Sequence, residues 1–261
     1  MISLIKNRNG QQLAVYSFGD ATQPAIIFSN SLGTDHGMWQ AQVTVFAQDY
    51  FVICYDTRGH GKSAVIDNST LTDLANDVVD ILDHFNIEKA HFCGISMGGI
   101  TGLQLGLIAP QHFLSITIAN SAAKIGQETA WLSRADTVET EGLADIVSTT
   151  HMRWFSDKFD YIHDAIAQQS IQSLSVTPPK GYAAACRALA QADLREQISA
   201  IQVPCLALCG GLDPVTTVAD GEFMQAHIPN CEIAVVDASH LSNIEAPQQF
   251  NQIFAEFIAK H

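Results

Sequence analysis

Gly94-Ile95-Ser96-Met97-Gly98 reads G-x-S-x-G and decides the prediction of the fold. This stretch follows a strand-like run, 90–93, and precedes a segment of small and apolar residues, 99–105, with helical character. A serine on a tight turn from strand to helix takes a strained backbone conformation, and flanking glycines leave it room. The turn lifts the hydroxyl above the sheet, where the helix N-terminus favours negative charge. Because so short a motif also recurs by chance, an ordinary glycine-rich turn remains the alternative.

The composition indicates a globular chain without a nucleic-acid or membrane partner. At 261 residues the chain is long enough for one large domain, or for one domain with an insertion. A hydrophobic content of 47% with 15% charged residues is sufficient for a buried core. The net charge of −14 and the lack of a lysine or arginine cluster disfavour binding to nucleic acid or to an anionic membrane.

The chain shows no pattern that predicts export or membrane insertion. We expect no signal peptide, because residues 1–8 have no apolar core run and no small-residue cleavage site, and we expect no membrane span, because no uninterrupted apolar run reaches that length. The six cysteines lack C-x-x-C spacing, which predicts reduced thiols and a cytoplasmic protein. We expect neither a metal nor an organic cofactor, because no cluster has the spacing of metal ligands and the glycines lack the dinucleotide pattern.

Strand and helix signals alternate along most of the chain. An alternating run at 12–19 predicts an antiparallel strand, and an apolar stripe at 71–85 predicts a helix with Thr72 and Asp73 as capping residues. A further helix is predicted at 247–259. The short apolar runs typical of buried parallel strands are 25–28, 50–55, 90–93, 114–119, 204–209 and 231–236. The alternation predicts an α/β fold with a mainly parallel sheet.

One segment lacks strand signals. Residues 121–195 show helical patterns only. We therefore expect a core formed by 1–120 and 196–261, with 121–195 as a helical cap inserted over the strand ends.

A serine nucleophile requires a base and an orienting carboxylate, and behind a G-x-S-x-G turn these follow in the order serine, acid, histidine. Asp213 follows the strand-like run 204–209, and His240 follows the last predicted strand. We predict Ser96, Asp213 and His240 as a catalytic triad. An ordinary turn aspartate remains the alternative for Asp213.

Other residues compete for these roles. Among the ten histidines, His36 and His60 also lie on loops at strand ends, but both precede Ser96 and so violate the chain order. Asp237 lies on the same loop as His240, and we expect it to stabilise that loop. The segment 56–63 resembles the tail of a P-loop without its first glycine, and we expect a structural role for it.

An oxyanion hole needs two backbone N–H groups that face the carbonyl oxygen as it gains charge. The Met97 N–H, directly after the serine, is the first candidate. The loop after the strand-like run 25–28 is expected to supply the second, and we predict the Leu32 N–H for it.

Together these residues resemble the α/β-hydrolases, and more narrowly the 3-oxoadipate enol-lactonases of aromatic-acid catabolism. The resemblance covers nearly the whole chain and implies an eight-stranded sheet with a helical cap. It is carried by the turn around Ser96, 94–99, and by the segments 31–35 with 38–39, 55–61, 122–126, 153–155, 181–184, 192–195, 213–216 and 237–242. Where relatives carry His-Gly-x, this chain has Asn30 before Ser31 and Leu32.

The resemblance implies hydrolysis of a small anionic enol-lactone that carries a carboxymethyl group. A carboxylate in a pocket favours a cationic partner, for which Arg134 is the first candidate and Lys124 the second. A solvated arginine on the cap surface remains the alternative for Arg134. Trp131 and Trp154 are predicted to line the pocket, with simple packing of the cap as the alternative.

Several functions share this triad. Carboxylesterases, perhydrolases and carbon–carbon bond hydrolases remain alternatives among enzymes, and a ligand receptor on the same fold remains the alternative outside them. The oligomeric state is not predicted.

Overall fold

A computed structural model describes residues 1–261 and contains a single eight-stranded sheet. The strands are β1 (Ile2–Lys6), β2 (Gln12–Phe18), β3 (Ala25–Ser29), β4 (Phe51–Tyr55), β5 (Ala90–Ile95), β6 (Phe113–Ala119), β7 (Cys205–Gly210) and β8 (Cys231–Val236). Their order is β1-β2-β4-β3-β5-β6-β7-β8, and β2 is the strand that runs against the others. The sequence did not predict β1.

Six α-helices connect or follow the strands of the sheet. These are α1 (Gln40–Phe46), α2 (Leu71–His84), α3 (Met97–Ile108), α9 (Val218–His227), α10 (Ser242–Glu245) and α11 (Pro247–Ile258). None of the protein's helices is long and apolar enough to cross a membrane. The prediction of an α/β fold with a mainly parallel, eight-stranded sheet is confirmed.

The start of α2 corrects one prediction. Thr70 is the N-cap: its hydroxyl accepts from the Asp73 N–H at 3.1 Å, and the Asp73 carboxylate accepts from the Thr70 N–H at 2.9 Å. This reciprocal pair is a capping box, which satisfies two backbone donors at the helix start. The prediction of Thr72 as a capping residue was wrong, because Thr72 already lies inside the first turn.

The centre of the sheet forms the core. All residues of β3, β4, β5 and β7 are buried, because helices cover both faces of the sheet. Large apolar side chains such as Phe28, Trp39 and Phe254 pack together on one face. This packing gives the strand ends a rigid support.

Between β6 and β7 the chain forms five further α-helices and no strand. They are α4 (Glu128–Glu141), α5 (Ala144–Thr149), α6 (His151–Trp154), α7 (Ala165–Val176) and α8 (Pro179–Gln191). We call residues 121–195 the helical segment. Arg187 of α8 forms an ion pair with Glu139 of α4, with 2.6 Å between Nη2 and Oε2.

The parallel strands bring four loops to one edge of the sheet. The loops after β3, β5, β7 and β8 carry Leu32, Ser96, Asp213 and His240. In parallel α/β sheets, functional crevices form outside the carboxyl ends of the strands. The helical segment contributes the other side of this crevice.

Candidate active site

Ser96 occupies a strained turn between β5 and α3. Its backbone has φ +56° and ψ −112°, which is unusual for a residue with a side chain. A Cβ on Gly94 would meet the Gly98 carbonyl, and a Cβ on Gly98 would meet the Ser29 carbonyl. The Ser96 N–H donates to the Ala119 carbonyl at 3.0 Å, and these contacts hold the turn.

Asp213 and His240 form a buried pair. The His240 Nδ1–H donates to Asp213 Oδ2 at 2.8 Å, which leaves Nε2 as the nitrogen that can act as a base. Burial opposes ionisation of Asp213, but the His240 ring and several donated hydrogen bonds outweigh it and hold the pKa of Asp213 below its usual value. Asp213 is therefore a carboxylate that can orient and stabilise a charged imidazole.

The Asp213 carboxylate is saturated with further donors. Its Oδ1 accepts from the Val215 and Thr216 N–H groups at 2.7 and 3.1 Å. Its Oδ2 also accepts from the Thr216 hydroxyl at 2.9 Å and from the Asn120 amide at 3.1 Å. Its orientation is thus fixed from several directions.

Asn120 is a residue of this site that was not predicted from the sequence. Besides Asp213, the Asn120 amide donates to the Ser239 carbonyl at 3.0 Å, and its side-chain oxygen accepts from the Ser242 hydroxyl. Asn120 therefore ties the loop that carries His240 to the end of β6. Its position directly after a buried strand, like that of Ser96, is the signal that could have found it.

Two backbone donors near Ser96 have no acceptor within the protein. Neither the Leu32 N–H nor the Met97 N–H donates to any backbone or side-chain group. Met97 begins α3, and the first N–H groups of a helix have no intrahelical partner. These two groups can stabilise an oxygen that gains negative charge.

His60 holds the loop that carries Leu32. The Gly33 N–H donates to His60 Nε2 at 3.1 Å, so the proton lies on Nδ1, which donates to the Arg58 carbonyl at 3.2 Å. Burial lowers the pKa of His60. The neutral ring is therefore an acceptor at this site and no competitor for the base.

Ser96 and His240 open into one cavity of about 280 Å³. The loops at the strand ends contribute Ser31, Leu32, Ser96, Pro214, Val215 and His240 to its lining. The helical segment contributes Ile125, Gly126, Gln127, Ala130, Trp131, Arg134, Thr150, Arg153, Trp154, Leu174 and Tyr182. A small, largely apolar cavity with a few polar groups is typical of a site for a small molecule.

Three of the four predicted pocket residues lie in this lining. Arg134 lies over the Trp131 ring, with 4.8 Å from its guanidinium carbon to the ring centroid, and Trp154 is buried. Lys124 is not among the lining residues, because its ammonium pairs with Asp193 at 3.1 Å. Arg153 also lines the cavity, and the sequence did not predict this.

The second histidine that competed for the role of base lies in a separate cluster. His36 Nδ1 donates to Asp56 Oδ1 at 2.8 Å, and Asp35, His36 and Asp56 bring possible metal ligands within 4.8 Å of one another. Asp56 also accepts from the Tyr16 hydroxyl and the Lys62 N–H. Because protein donors already occupy these oxygens, the cluster fits a structural role better than a metal site.

Comparisons with known proteins agree with this geometry. Residues 24–141 match the alpha/beta hydrolase fold family. This match, together with a relative that is 60% identical across 98% of the chain, shows that the chain belongs to the α/β-hydrolase family.

The similarity extends to a particular kind of hydrolase. The chain is 60% identical to 3-oxoadipate enol-lactonase 1 of Acinetobacter baylyi, across 98% of this chain and 96% of that protein. It is 48% identical to 3-oxoadipate enol-lactonase 2 of the same organism, across 90% and 88%. The crystal structure of the enol-lactonase from Burkholderia xenovorans LB400 superposes with a TM-score of 0.93 at 34% identity, covering 96% of this chain and 98% of that one.

Proposed function

We propose that this protein is a serine hydrolase that opens the ring of 3-oxoadipate enol-lactone to give 3-oxoadipate. The observation that carries the proposal is the 60% identity to a 3-oxoadipate enol-lactonase along 98% of the chain. The cavity at Ser96 and His240 supports it, because the cavity is small and carries cationic side chains suited to an anionic lactone.

Acylation begins at Ser96. His240 Nε2 takes the proton of the Ser96 hydroxyl while Oγ attacks the lactone carbonyl carbon, and Asp213 stabilises the imidazolium that forms. The Leu32 and Met97 N–H groups donate to the developing oxyanion. Loss of one such donor typically costs roughly 3 kcal/mol of transition-state stabilisation.

The leaving group is the ring oxygen of the enol. When the tetrahedral intermediate collapses, the bond between the carbonyl carbon and this oxygen breaks, and His240 returns the proton. The enol then tautomerises to the ketone. An enol oxygen leaves more readily than an alkoxide, because its negative charge is delocalised.

A water molecule completes the cycle. His240 removes a proton from water, the hydroxide attacks the acyl carbon, and Ser96 leaves with the proton that His240 returns. The product carries two carboxylates, one from the original carboxymethyl group and one from the opened lactone.

The helical segment binds the rest of the substrate in this proposal. Arg134 pairs with the carboxylate of the carboxymethyl group, and Trp131 and Trp154 cover the ring. Arg134 is preferred to Lys124, since the latter is already paired with Asp193. We accordingly treat 1–120 and 196–261 as the catalytic core and 121–195 as a cap that selects the substrate. We place the enzyme in the cytoplasm, consistent with its six free cysteines.

Ring opening by the purified protein tests the proposal. The loss of lactone absorbance is followed for 3-oxoadipate enol-lactone beside p-nitrophenyl acetate. We expect a large preference in kcat/KM for the lactone, and Ser96→Ala is expected to lower kcat by about 10⁴-fold or more. Ser148→Ala is the matched control, because its exposed hydroxyl contacts only the Asp145 carbonyl.

The alternatives give different results. Turnover of the acetate alone would indicate a general esterase, and full lactone turnover by Ser96→Ala would contradict the serine mechanism. No turnover of either compound, together with no labelling of Ser96 by a fluorophosphonate, would favour a ligand receptor.

A further inference from the structure

The six arginines of this chain fall into two groups. Arg8, Arg58, Arg187 and Arg195 each form an ion pair with a carboxylate, at 2.6 to 2.8 Å. Arg134 and Arg153 form none, and these two line the cavity that contains Ser96. The chain has 27 acidic and 13 basic residues. Despite this excess of carboxylates, both arginines that lack an acidic partner line the same cavity.

Arg153 is a cation in an unfavourable environment. It is half-buried, and burial together with the positive charge of Arg134 lowers its pKa. An arginine nonetheless stays charged in proteins, since its ordinary pKa lies far above neutral. Both guanidinium groups line the same cavity and neither pairs with a carboxylate, so nothing in the protein offsets the repulsion between them.

Neutral groups hold both side chains in the cavity wall. Arg134 lies over the face of Trp131, and Arg153 donates from Nη1 to the Thr149 hydroxyl at 3.3 Å. Tyr182 lies near both guanidinium groups, whose charges oppose the rise of its pKa to about 12 that burial causes. No partner of either arginine neutralises its charge.

Arg153 is also linked to the loop that carries the base. The Leu241 N–H, next to His240, donates to the carbonyl of Trp154 at 2.9 Å. Glu245 accepts from the Ser156 N–H at 3.1 Å and from the Ser239 N–H at 2.9 Å. The short helix α6 therefore has a fixed position relative to His240, and so has the backbone of Arg153.

We propose that Arg153 is a second specificity-determining residue, which forms with Arg134 a two-arginine site for the free carboxylate of the substrate. The proposal rests on the proposed function and extends it to the selection of substrates. Guanidinium groups bind carboxylates with charge-assisted hydrogen bonds, and each arginine can offer two parallel donors. A bound carboxylate also relieves the repulsion between the two cations, whereas a neutral lactone does not.

Two lactones separate charge recognition from ring opening. 3-Oxoadipate enol-lactone is anionic, and α-angelica lactone is a neutral enol-lactone with a methyl group in place of the carboxymethyl group. For Arg153→Gln we expect KM for the anionic lactone to rise roughly tenfold or more, because charged hydrogen bonds are lost. KM for the neutral lactone should stay within about twofold.

Arg195→Gln is the matched control. Its side chain is exposed and pairs with Asp193, outside the cavity. Equal changes of KM for the two lactones in Arg153→Gln, or no change for either, would overturn the proposal. The thermal midpoint of each variant shows whether the fold is retained.

A binding measurement decides the proposal independently of catalysis. Adipate is a stable six-carbon dicarboxylate that resembles the ring-opened product, and calorimetry in the Ser96→Ala background measures its affinity. Addition of Arg153→Gln should weaken adipate roughly tenfold or more. Unchanged affinity, or no adipate binding by Ser96→Ala, would refute the two-arginine site. Failure of the wild-type protein to open the anionic lactone would instead refute the proposed function.

Discussion

The two sides of the cavity are built differently. The floor, which we define as the strand-end loops with Ser96, Asp213 and His240, is held by a dense set of hydrogen bonds. The wall, defined as the lining contributed by the helical segment 121–195, carries two cations without a carboxylate partner. Within the floor, the protein itself supplies the hydrogen-bond partners of Asp213, whereas the two arginines of the wall have no acidic partner in the protein.

This difference suggests a division of work. In the proposed mechanism the floor offers a nucleophile, a base and two backbone donors, which can act on any ester carbonyl. The wall offers positive charge in a small cavity of a chain with a net charge of −14. A global negative potential repels anionic substrates, so local cations must capture them. Changes in the floor should affect kcat for all substrates, and changes in the wall should affect KM for anionic ones.

The largest expected effect is a loss of kcat on substitution of Asp213, which belongs to the floor. In Asp213→Asn the carboxamide no longer stabilises the imidazolium and favours the wrong tautomer of His240. We expect kcat to fall by about 10⁴-fold for the anionic and the neutral lactone alike. Steady-state kinetics with both lactones measures this.

Asp237→Asn is the matched control for that experiment. Asp237 lies on the loop of His240 but is exposed, and its partner Lys158 is 3.7 Å away. Near wild-type kinetics are expected for this variant. A loss of kcat in Asp237→Asn as large as that in Asp213→Asn would contradict the assignment of Asp213 as the carboxylate that orients His240.

A smaller effect is expected at His60, which supports the floor without facing the cavity. His60→Leu removes the acceptor for the Gly33 N–H, so the Leu32 N–H loses its orientation. We expect kcat to fall by roughly 10 to 100-fold with KM nearly constant, somewhat less than the loss of a whole oxyanion donor. His60→Gln keeps an acceptor and should recover part of kcat.

His84→Gln serves as the control, because His84 is exposed at the end of α2. If His60→Leu and His60→Gln lose kcat equally, or if KM changes in place of kcat, the loop is not positioned through His60. The thermal midpoints separate this effect from a loss of folding.

The floor was largely predictable from the sequence. G-x-S-x-G between a strand and a helix predicted the turn at Ser96, and Asp213 and His240 follow strands whose ends must meet at one edge of a parallel sheet. The sheet itself was predicted because its central strands are short apolar runs. The edge strand β1 was missed, since its residues Ile2 and Leu4 are exposed and leave little pattern.

The wall was less predictable, for a physical reason. The pattern of a helix shows which face is apolar, but the direction in which a half-buried side chain points depends on how helices pack on one another. Arg153 and Lys124 look alike in sequence, as single cations in helical surroundings. Only the fold shows that Asp193 neutralises Lys124 and that no carboxylate reaches Arg153.

The smallest expected effect is the pH dependence of substrate preference, which distinguishes the groups of the wall from those of the floor. Burial and the charge of Arg134 lower the pKa of Arg153. An arginine nevertheless loses its proton only at a pH far above neutral. Between about pH 6 and pH 9 the wall should therefore keep its charge. The ratio of kcat/KM for the anionic lactone to that for α-angelica lactone is then expected to be flat across this range. A histidine cation in the wall would instead make the ratio fall as pH rises through about 6.5. Since the pH dependence of the floor applies to both lactones, it cancels in the ratio, and any remaining slope belongs to the groups that recognise the carboxylate.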